Sequence, residues 1–343
     1  MHIPIENIYY LLCYAWNKLE EKERVNVEVD EKMEILDLFA KVLINATKIL
    51  LKRGIDKSYI ETTEELAGIK GKIQFSQTIK SNILFKQRTI CTFDEFSSNI
   101  LTNRILLTSI KTLIKTKGLN SDLKKELISL QIMFGGIETI KMSKSIFSQV
   151  RLNRNNRFYG FLMNVCQIIY ENTLPTEKSG EYKFSDFTRD ENKMNQLFEA
   201  FIRNFYRIEQ TKYRTVKSEI INWNFDYTDI DSFQYVPIMK TDITLENAEQ
   251  KIIIDAKYYR ETMSLNYNRE KIKSNNLYQL FSYLLNQEDG TAKNESARGV
   301  LLYPTIEKEY DLNYTYKNHK IEIKTLNLNT KWTEIATRLK SII

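Results

Sequence analysis

Cysteine and histidine are scarce. Cys13, Cys91 and Cys166 stand far apart in 343 residues, with no C-x-x-C pair. That spacing argues against a disulfide framework and a structural zinc site, and it fits a reducing, cytoplasmic setting. His2 and His319 are the only histidines, which makes histidine-dependent zinc chemistry or a Ser-His-Asp triad a poor expectation. Any catalysis must then rest on carboxylates, lysine, tyrosine or a hard metal held by oxygen. Four prolines and ten glycines leave little material for long disordered linkers. No apolar run approaches the roughly 20 residues of a membrane span. Glu6 and Asn7 precede the first apolar stretch with no basic segment, a pattern unlike a signal peptide.

What is present is ordinary for a globular chain. Apolar residues make up 42% and charged residues 27%, and the 20 Tyr and 17 Phe can fill one large core or two moderate ones. At roughly 100–200 residues per domain, the length suggests two domains. The net charge of +6 permits contact with nucleic acid without demanding it.

Hydrophobic spacing predicts helices over Ile3–Trp16, Met33–Leu51, Asn99–Lys115 and Asn120–Met133. Gly68 and Gly71 mark a short extended region between the second and third. The cluster Arg151, Arg154 and Arg157 reads either as a solvated face or as a weak DNA-contacting patch. Leu174–Asp190 lacks a helical period and carries Pro175 and Gly180, so the division falls there: residues 1–175, then 176–343. Beyond it, Met194 to Ile208 is an amphipathic helix. Val236–Leu245 and Lys251–Tyr259 read as two strands. A helix over Asn276–Leu285 capped by Ser274 or Asn275, a strand Val300–Tyr303 closed by Pro304, a strand Lys320–Leu328 and a helix Trp332–Ile342 complete the pattern. This is a mixed α/β chain: an α-rich first part, then a mixed sheet flanked by helices.

The chemistry concentrates in Thr241-Asp242-Ile243 and Ile252-Ile253-Ile254-Asp255-Ala256-Lys257. Asp255 ends a β-branched run, as in a buried central strand. Strand alternation puts Asp255 and Lys257 on one face. Asp242 and Asp255 are thirteen residues apart, with their midpoint between Ala248 and Glu249. A hairpin symmetric about that point sets them opposite each other, with Cβ atoms about 4.5–5.5 Å apart. Two buried carboxylates at that distance require neutralisation. A hard divalent ion supplies it, Mg²⁺ most commonly, with Mn²⁺ as a substitute. With Lys257 alongside, the set suits phosphodiester hydrolysis. An ordinary Asp–Lys pair at a strand end would give the same triplet. Glu199, on the preceding helix, is either a further ligand or a flank charge. Gln279 and Tyr283 share a helix face and are either accessory to the site or core polar packing.

These segments resemble the McrC family, the nuclease subunits of 5-methylcytosine-dependent McrBC restriction systems. The likeness runs through IPIENIYYLLCYAW (Ile3–Trp16), GIKGKIQF (Gly68–Phe75), NILTNR (Asn99–Arg104), EYKFSDFTRDENKM (Glu181–Met194), TDITL (Thr241–Leu245), IIIDAKYY (Ile252–Tyr259), NLYQLFSYL (Asn276–Leu284) and GVLLYP (Gly299–Pro304). It implies a PD-(D/E)xK nuclease domain in which Asp242 and Asp255 bind the metal and Lys257 is the catalytic lysine. Thr241 stands where that motif nominally has proline. Gln279 and Tyr283 match a QxxxY helix motif that lies near the site and the DNA in one branch of such nucleases. The resemblance also implies double-stranded DNA as substrate and a hexameric McrB-type AAA+ GTPase as partner. The N-terminal half would serve as an adaptor or stalk that docks on the GTPase and stimulates it, and the assembled complexes would dimerise. In agreement, no G-x-x-x-x-G-K-[ST] sequence occurs in the chain. Two alternatives stay open: a non-catalytic adaptor of the GTPase, and a nuclease that acts without a motor.

Overall fold

A computed structural model describes residues 3–17, 33–154, 156–176, 180–225, 230–259, 264–266, 269–306 and 308–343. The chain opens with helix α1 (Ile5–Ala15), entered from Pro4, whose fixed φ suits a helix start. It divides into two compact units, one of Glu34–Ser185 and one joining the N-terminal helix to Asp186–Ile343.

In the first unit, α2 (Ile35–Arg53) buries Leu38, Phe39, Val42, Leu43 and Ala46. Three strands follow: β1 (Ser58–Leu66), β2 (Lys72–Ile73) and β3 (Thr89–Ser97), ordered β1-β3-β2 and antiparallel throughout. The glycine-bearing region is thus a small sheet, larger than the sequence suggested. Gly71 has φ +70°, and a Cβ there would lie 2.5 Å from the Thr92 carbonyl oxygen, so only glycine fits. Then come α3 (Leu101–Ile114), α4 (Ser121–Ile132), capped by the Asn120 side chain, and α5 (Arg157–Asn172). Helices α2 to α5 pack together around Leu106, Ile110, Phe161, Leu162 and Val165.

The second unit begins with α6 (Glu191–Glu209), capped by Asp190. Its sheet contains β4 (Thr215–Lys217), β5 (Ile243–Glu246) and β6 (Lys251–Ala256). After α7 (Ser274–Asn286) follow β7 (Arg298–Thr305), β8 (Asp311–Tyr316), β9 (His319–Asn327) and α8 (Trp332–Ile342). The order is β8-β9-β7-β6-β5-β4, with β6, β7 and β9 parallel and the outer pairs antiparallel. This is the expected mixed sheet. Ile253, Leu301, Ile321 and Ile323 form a core with Leu280, Tyr283 and Leu284 of α7. Gly299 permits that close approach, since a Cβ there would lie 2.9 Å from the Leu284 side chain.

Several expectations need correction. The units part at 185/186, inside the expected Leu174–Asp190 boundary but later than the 175/176 cut, and residues 177–179 lie outside the described residues. The N-terminal helix also belongs with the later unit. Tyr14 packs against Phe201 and Phe205, at 5.7 and 5.4 Å between ring centres, and Tyr10 stacks on Trp332 at 4.4 Å. The Asn204 side chain donates to the carbonyls of Tyr14 and Ala15, and Asn7 donates to those of Leu328 and Thr330. Val236–Leu245 is not one strand. Met239–Lys240 pairs with Ile220–Ile221 in a separate ribbon, and the chain breaks at Thr241–Asp242 before β5. Helix α7 starts at Ser274 with Lys273 at the cap position and no side-chain cap. Pro304 lies within β7, opposite Leu326, and does not end it.

Candidate active site

The hairpin of β5 and β6 sets the site. Asn247 closes its turn, with its side-chain oxygen accepting the N–H groups of Glu249 and Gln250. Ile254 then faces Ile243, Ile253 faces Thr244 and Ile252 faces Leu245. The ladder ends there, and Asp242 lies in the break just before β5, where its carboxylate shares the Lys257 ammonium with that of Asp255.

Strand β6 lies between β5 and β7, and all six of its residues are buried. Asp255 is fully buried. Lys257 projects from the same face and donates to Asp255 Oδ1 at 2.8 Å and to Asp242 Oδ2 at 3.0 Å. Asp242 Oδ2 also accepts the Ala256 N–H at 3.0 Å, so the first aspartate locks onto the backbone beside the second. Asp255 Oδ2 is buried and has no hydrogen-bond partner among the described residues. Burial, and then the charge of Asp242, push the Asp255 carboxyl up to about 7 against the pull of Lys257. Burial acts to lower the lysine, but the two aspartates outweigh it and hold Lys257 above its ordinary value.

The accessory residues converge on the same place. Glu199 is raised by burial and then by Asp242, while Lys257, Asn195 and Arg203 oppose the shift. Gln279 donates to the Tyr283 hydroxyl at 2.6 Å, and that hydroxyl donates to the Lys240 carbonyl at 2.8 Å. The pair therefore grips the backbone two residues before Asp242. Among the described residues, no group of three or more His, Cys, Asp or Glu side chains is placed to hold a metal. The donors present are Asp242 and Asp255, and the orphaned Oδ2 is what a hard cation would satisfy.

A family profile described as McrBC 5-methylcytosine restriction system component matches residues 6–304. The chain belongs to this McrBC family. It is 36% identical over 342 residues to the type IV methyl-directed restriction enzyme EcoKMcrBC of Escherichia coli K12, covering 99% of this chain and 97% of that one. It also resembles a solved structure of Thermococcus gammatolerans McrB AAA+ hexamers with bound McrC. There the TM-score is 0.55 and the identity 18%, with 99% of this chain and 76% of the other covered. That likeness is one of fold.

Within this McrBC-family chain, sequence reading missed Asn195 and Arg203. With Glu199 they stand four residues apart on α6. The Asn195 side chain donates to Glu199 and accepts the Tyr258 N–H at 2.8 Å, while Arg203 donates to the Asp242 carbonyl at 3.3 Å. Their i, i+4, i+8 spacing beside the apolar stripe was the available signal. Thr241, in the place of a proline, is buried. Its N–H bonds the Glu219 carbonyl at 2.9 Å, and its hydroxyl accepts from the Glu219 N–H, bonds that proline could not make. Arg151, Arg154 and Arg157 are exposed and lie in the other unit. Among the described residues, no helix is long and apolar enough to cross a membrane.

Proposed function

We propose that this chain is the DNA-cleaving component of a modification-dependent restriction system, built on a PD-(D/E)xK nuclease domain. The reading rests on one observation above the rest: the fully buried Asp255 and the half-buried Asp242 share a single lysine, and among the described residues one Asp255 oxygen is left without a hydrogen-bond partner. Asp242 and Asp255 would hold Mg²⁺ or Mn²⁺. Such an ion supplies Lewis-acid charge at a phosphoryl oxygen and makes water more acidic.

The chain's own residues do the rest. In the absence of a cation, two carboxylates hold Lys257 above its ordinary value. Beside a cation on those carboxylates its part would be to orient the attacking water and to place positive charge where the phosphate becomes more negative. The Ala256 N–H and Arg203 fix Asp242, and Tyr283 with Gln279 fixes the chain entering it. Asn195 holds Glu199 and the backbone after Lys257. One such site cuts one strand, so double-strand cleavage calls for two copies and a dimer of assembled complexes. Recognition and translocation would belong to a hexameric AAA+ GTPase. The absence of a phosphate-binding loop sequence in this chain supports this, as does its fold likeness to a McrC bound to AAA+ hexamers. The unit Glu34–Ser185 would serve as the adaptor.

The test is cleavage of methylated and unmethylated duplex with the partner, GTP and Mg²⁺. Asp255→Ala and Lys257→Ala should lose cutting and keep stimulation of the GTPase. Undiminished cutting by Asp255→Ala would assign the chemistry elsewhere and leave this chain an adaptor. Cutting without the GTPase would make it a stand-alone nuclease.

A further inference from the structure

Beyond Lys257, the face of the sheet that carries the aspartates continues into Tyr259. Two residues of chain span at most roughly 7 Å. Tyr259 packs against the core that holds Leu301, and Leu301 pairs with Asp255 across β6 and β7. Paired residues of neighbouring strands share a face, so Tyr259 lies on the side of Asp255 and Lys257. Its ring is fixed from beneath. The ring centre is 6.2 Å from that of Tyr303. The Tyr259 hydroxyl donates to Asn276 Oδ1 at 3.2 Å, and the Asn276 amide donates to the Tyr303 hydroxyl at 3.0 Å. Asn276 and Tyr303 are both buried. Burial, opposed by Asn276 and aided by the charge of Asp255, pushes the Tyr303 hydroxyl up to about 12. The chain of bonds that fixes Tyr259 therefore ends beside the aspartates.

Lys273 stands on this base. It is half-buried at the cap position of α7, and its ammonium lies 3.4 Å from the centre of the Tyr259 ring, where the negative face of the ring attracts it. A lysine held in this way has less side-chain freedom to lose when an anion arrives. The same unit offers a looser counterpart. Lys212 is exposed and lies 5.3 Å from the ring centre of Tyr213. It sits at the other end of the sheet, where Asn247 of the hairpin turn donates to its carbonyl. Only Lys273 holds its charge at the end where Asp242 and Asp255 meet. Charges recur about every 3.4 Å along each strand of a duplex, so a phosphate held at the aspartates brings its neighbours past the Tyr259 ring.

We propose that Lys273 is a second substrate-contacting cation of this site, held over Tyr259 to pair with a DNA phosphate beside the one that is cut. The proposal rests on the reading of the chain as a DNA nuclease.

The test is binding of a labelled duplex to the full chain, at low salt and without divalent ions, read by fluorescence anisotropy. Lys273→Met removes the charge and keeps most of the stem. It should weaken binding roughly 3- to 10-fold and reduce the salt slope by about one. Lys273→Arg keeps a cation over the ring and should restore most of the affinity. Lys212→Met removes the counterpart at the other end of the sheet and should do less. The proposal is overturned if the full chain binds no duplex, if Lys273→Met binds as tightly as the unaltered chain, or if Lys212→Met loses as much. A lower melting temperature with unchanged affinity would make Lys273 a brace for Tyr259 and nothing more. Should Lys273→Met not fold, acetylation of Lys273 in the unaltered chain carries the test: the duplex should slow it, and an unchanged rate overturns the proposal. Undiminished cutting by Asp255→Ala would sink the nuclease reading and leave these affinities standing. Unchanged affinity of Lys273→Met beside an inactive Asp255→Ala would sink this proposal alone.

Discussion

Asp255 on β6 and Glu322 on β9 are both buried in the same sheet, 0% and 1% exposed, but their charge surroundings are opposite. Glu322 is ion-paired with Arg298 at 3.1 Å, with Lys320, and with Lys324 at 3.7 Å. Lys324 also binds Asp311, which Arg338 holds in turn. That cluster has more cations than anions, and each Glu322 oxygen faces one: Lys320 at Oε1 and Arg298 at Oε2. At Asp255 a single lysine serves two carboxylates, and among the described residues the Asp255 Oδ2 is in no ion pair. A buried carboxylate ringed by cations is part of the sheet's construction, whereas one that shares its only cation is built to receive another.

The sharpest way to break this contrast is to neutralise each carboxylate in turn. Asp255→Asn should reduce cleavage on the order of 10²–10³-fold or more, in the range lost when a group acting on the transition state is removed. Without divalent ions at pH 8 it should not lower the melting temperature, because it relieves the repulsion from Asp242 and leaves Lys257 paired. Glu322→Gln should do the reverse. Removing the anion from a cluster of cations should destabilise by about 3 kcal/mol, while cleavage by the protein that remains folded stays near normal. Denaturant unfolding and a cleavage assay on the same preparations decide it. Equal losses of stability in both variants would mean that Asp255 is structural too.

The pair of aspartates was legible from sequence because a hairpin symmetric about Ala248 and Glu249 fixes its own register. The amphipathic stripes of Ile35–Arg53 and Glu191–Glu209 were legible for a similar local reason. Helix α5 was equally legible and went unread: Phe158, Phe161, Leu162, Val165, Cys166 and Ile169 recur at helical spacing. Strand β8 was missed because it is largely exposed and lacks an apolar run. The placement of α1 depends on Phe201, Phe205 and Trp332, far away in the chain, and no local pattern reports such a partner. The polar face Asn195, Glu199 and Arg203 reads as solvated until Asp242 and Tyr258 are placed against it.

A second experiment sharpens the contrast through pH. The Asp255 carboxyl is raised to about 7 from an unfolded value of 3.8. Between those values the folded protein keeps a proton that the unfolded chain has released. The stabilising contribution of the neutral acid is therefore complete below about pH 4 and is lost as pH rises through about 7. A divalent ion needs the carboxylate, so it competes with that proton. The Mg²⁺-induced rise in melting temperature should thus be larger at pH 8 than at pH 6, where the binding linkage behind it is worth roughly 2.7 kcal/mol of stability at pH 8 and a hundred times Kd. Asp255→Asn should remove the pH dependence and Glu322→Gln should retain it. An ion-induced shift that is the same at both pH values would dissociate the ion from Asp255.

The smallest effect expected concerns the support around the aspartates. The Tyr283 hydroxyl accepts from Gln279 and donates to the Lys240 carbonyl, two residues before Asp242. Tyr283→Phe deletes both bonds and keeps the ring in the core it shares with Leu280 and Ile253. The loss of folding stability should be about 1–2 kcal/mol, since the Lys240 carbonyl loses its donor. If the hydroxyl serves only the core, cleavage should not change. If it positions Asp242, the variant should need more Mg²⁺ for half-maximal cleavage while its maximal rate recovers at saturating ion. That separation distinguishes a group that aims a ligand from one that touches the phosphate, for which extra ion would restore nothing.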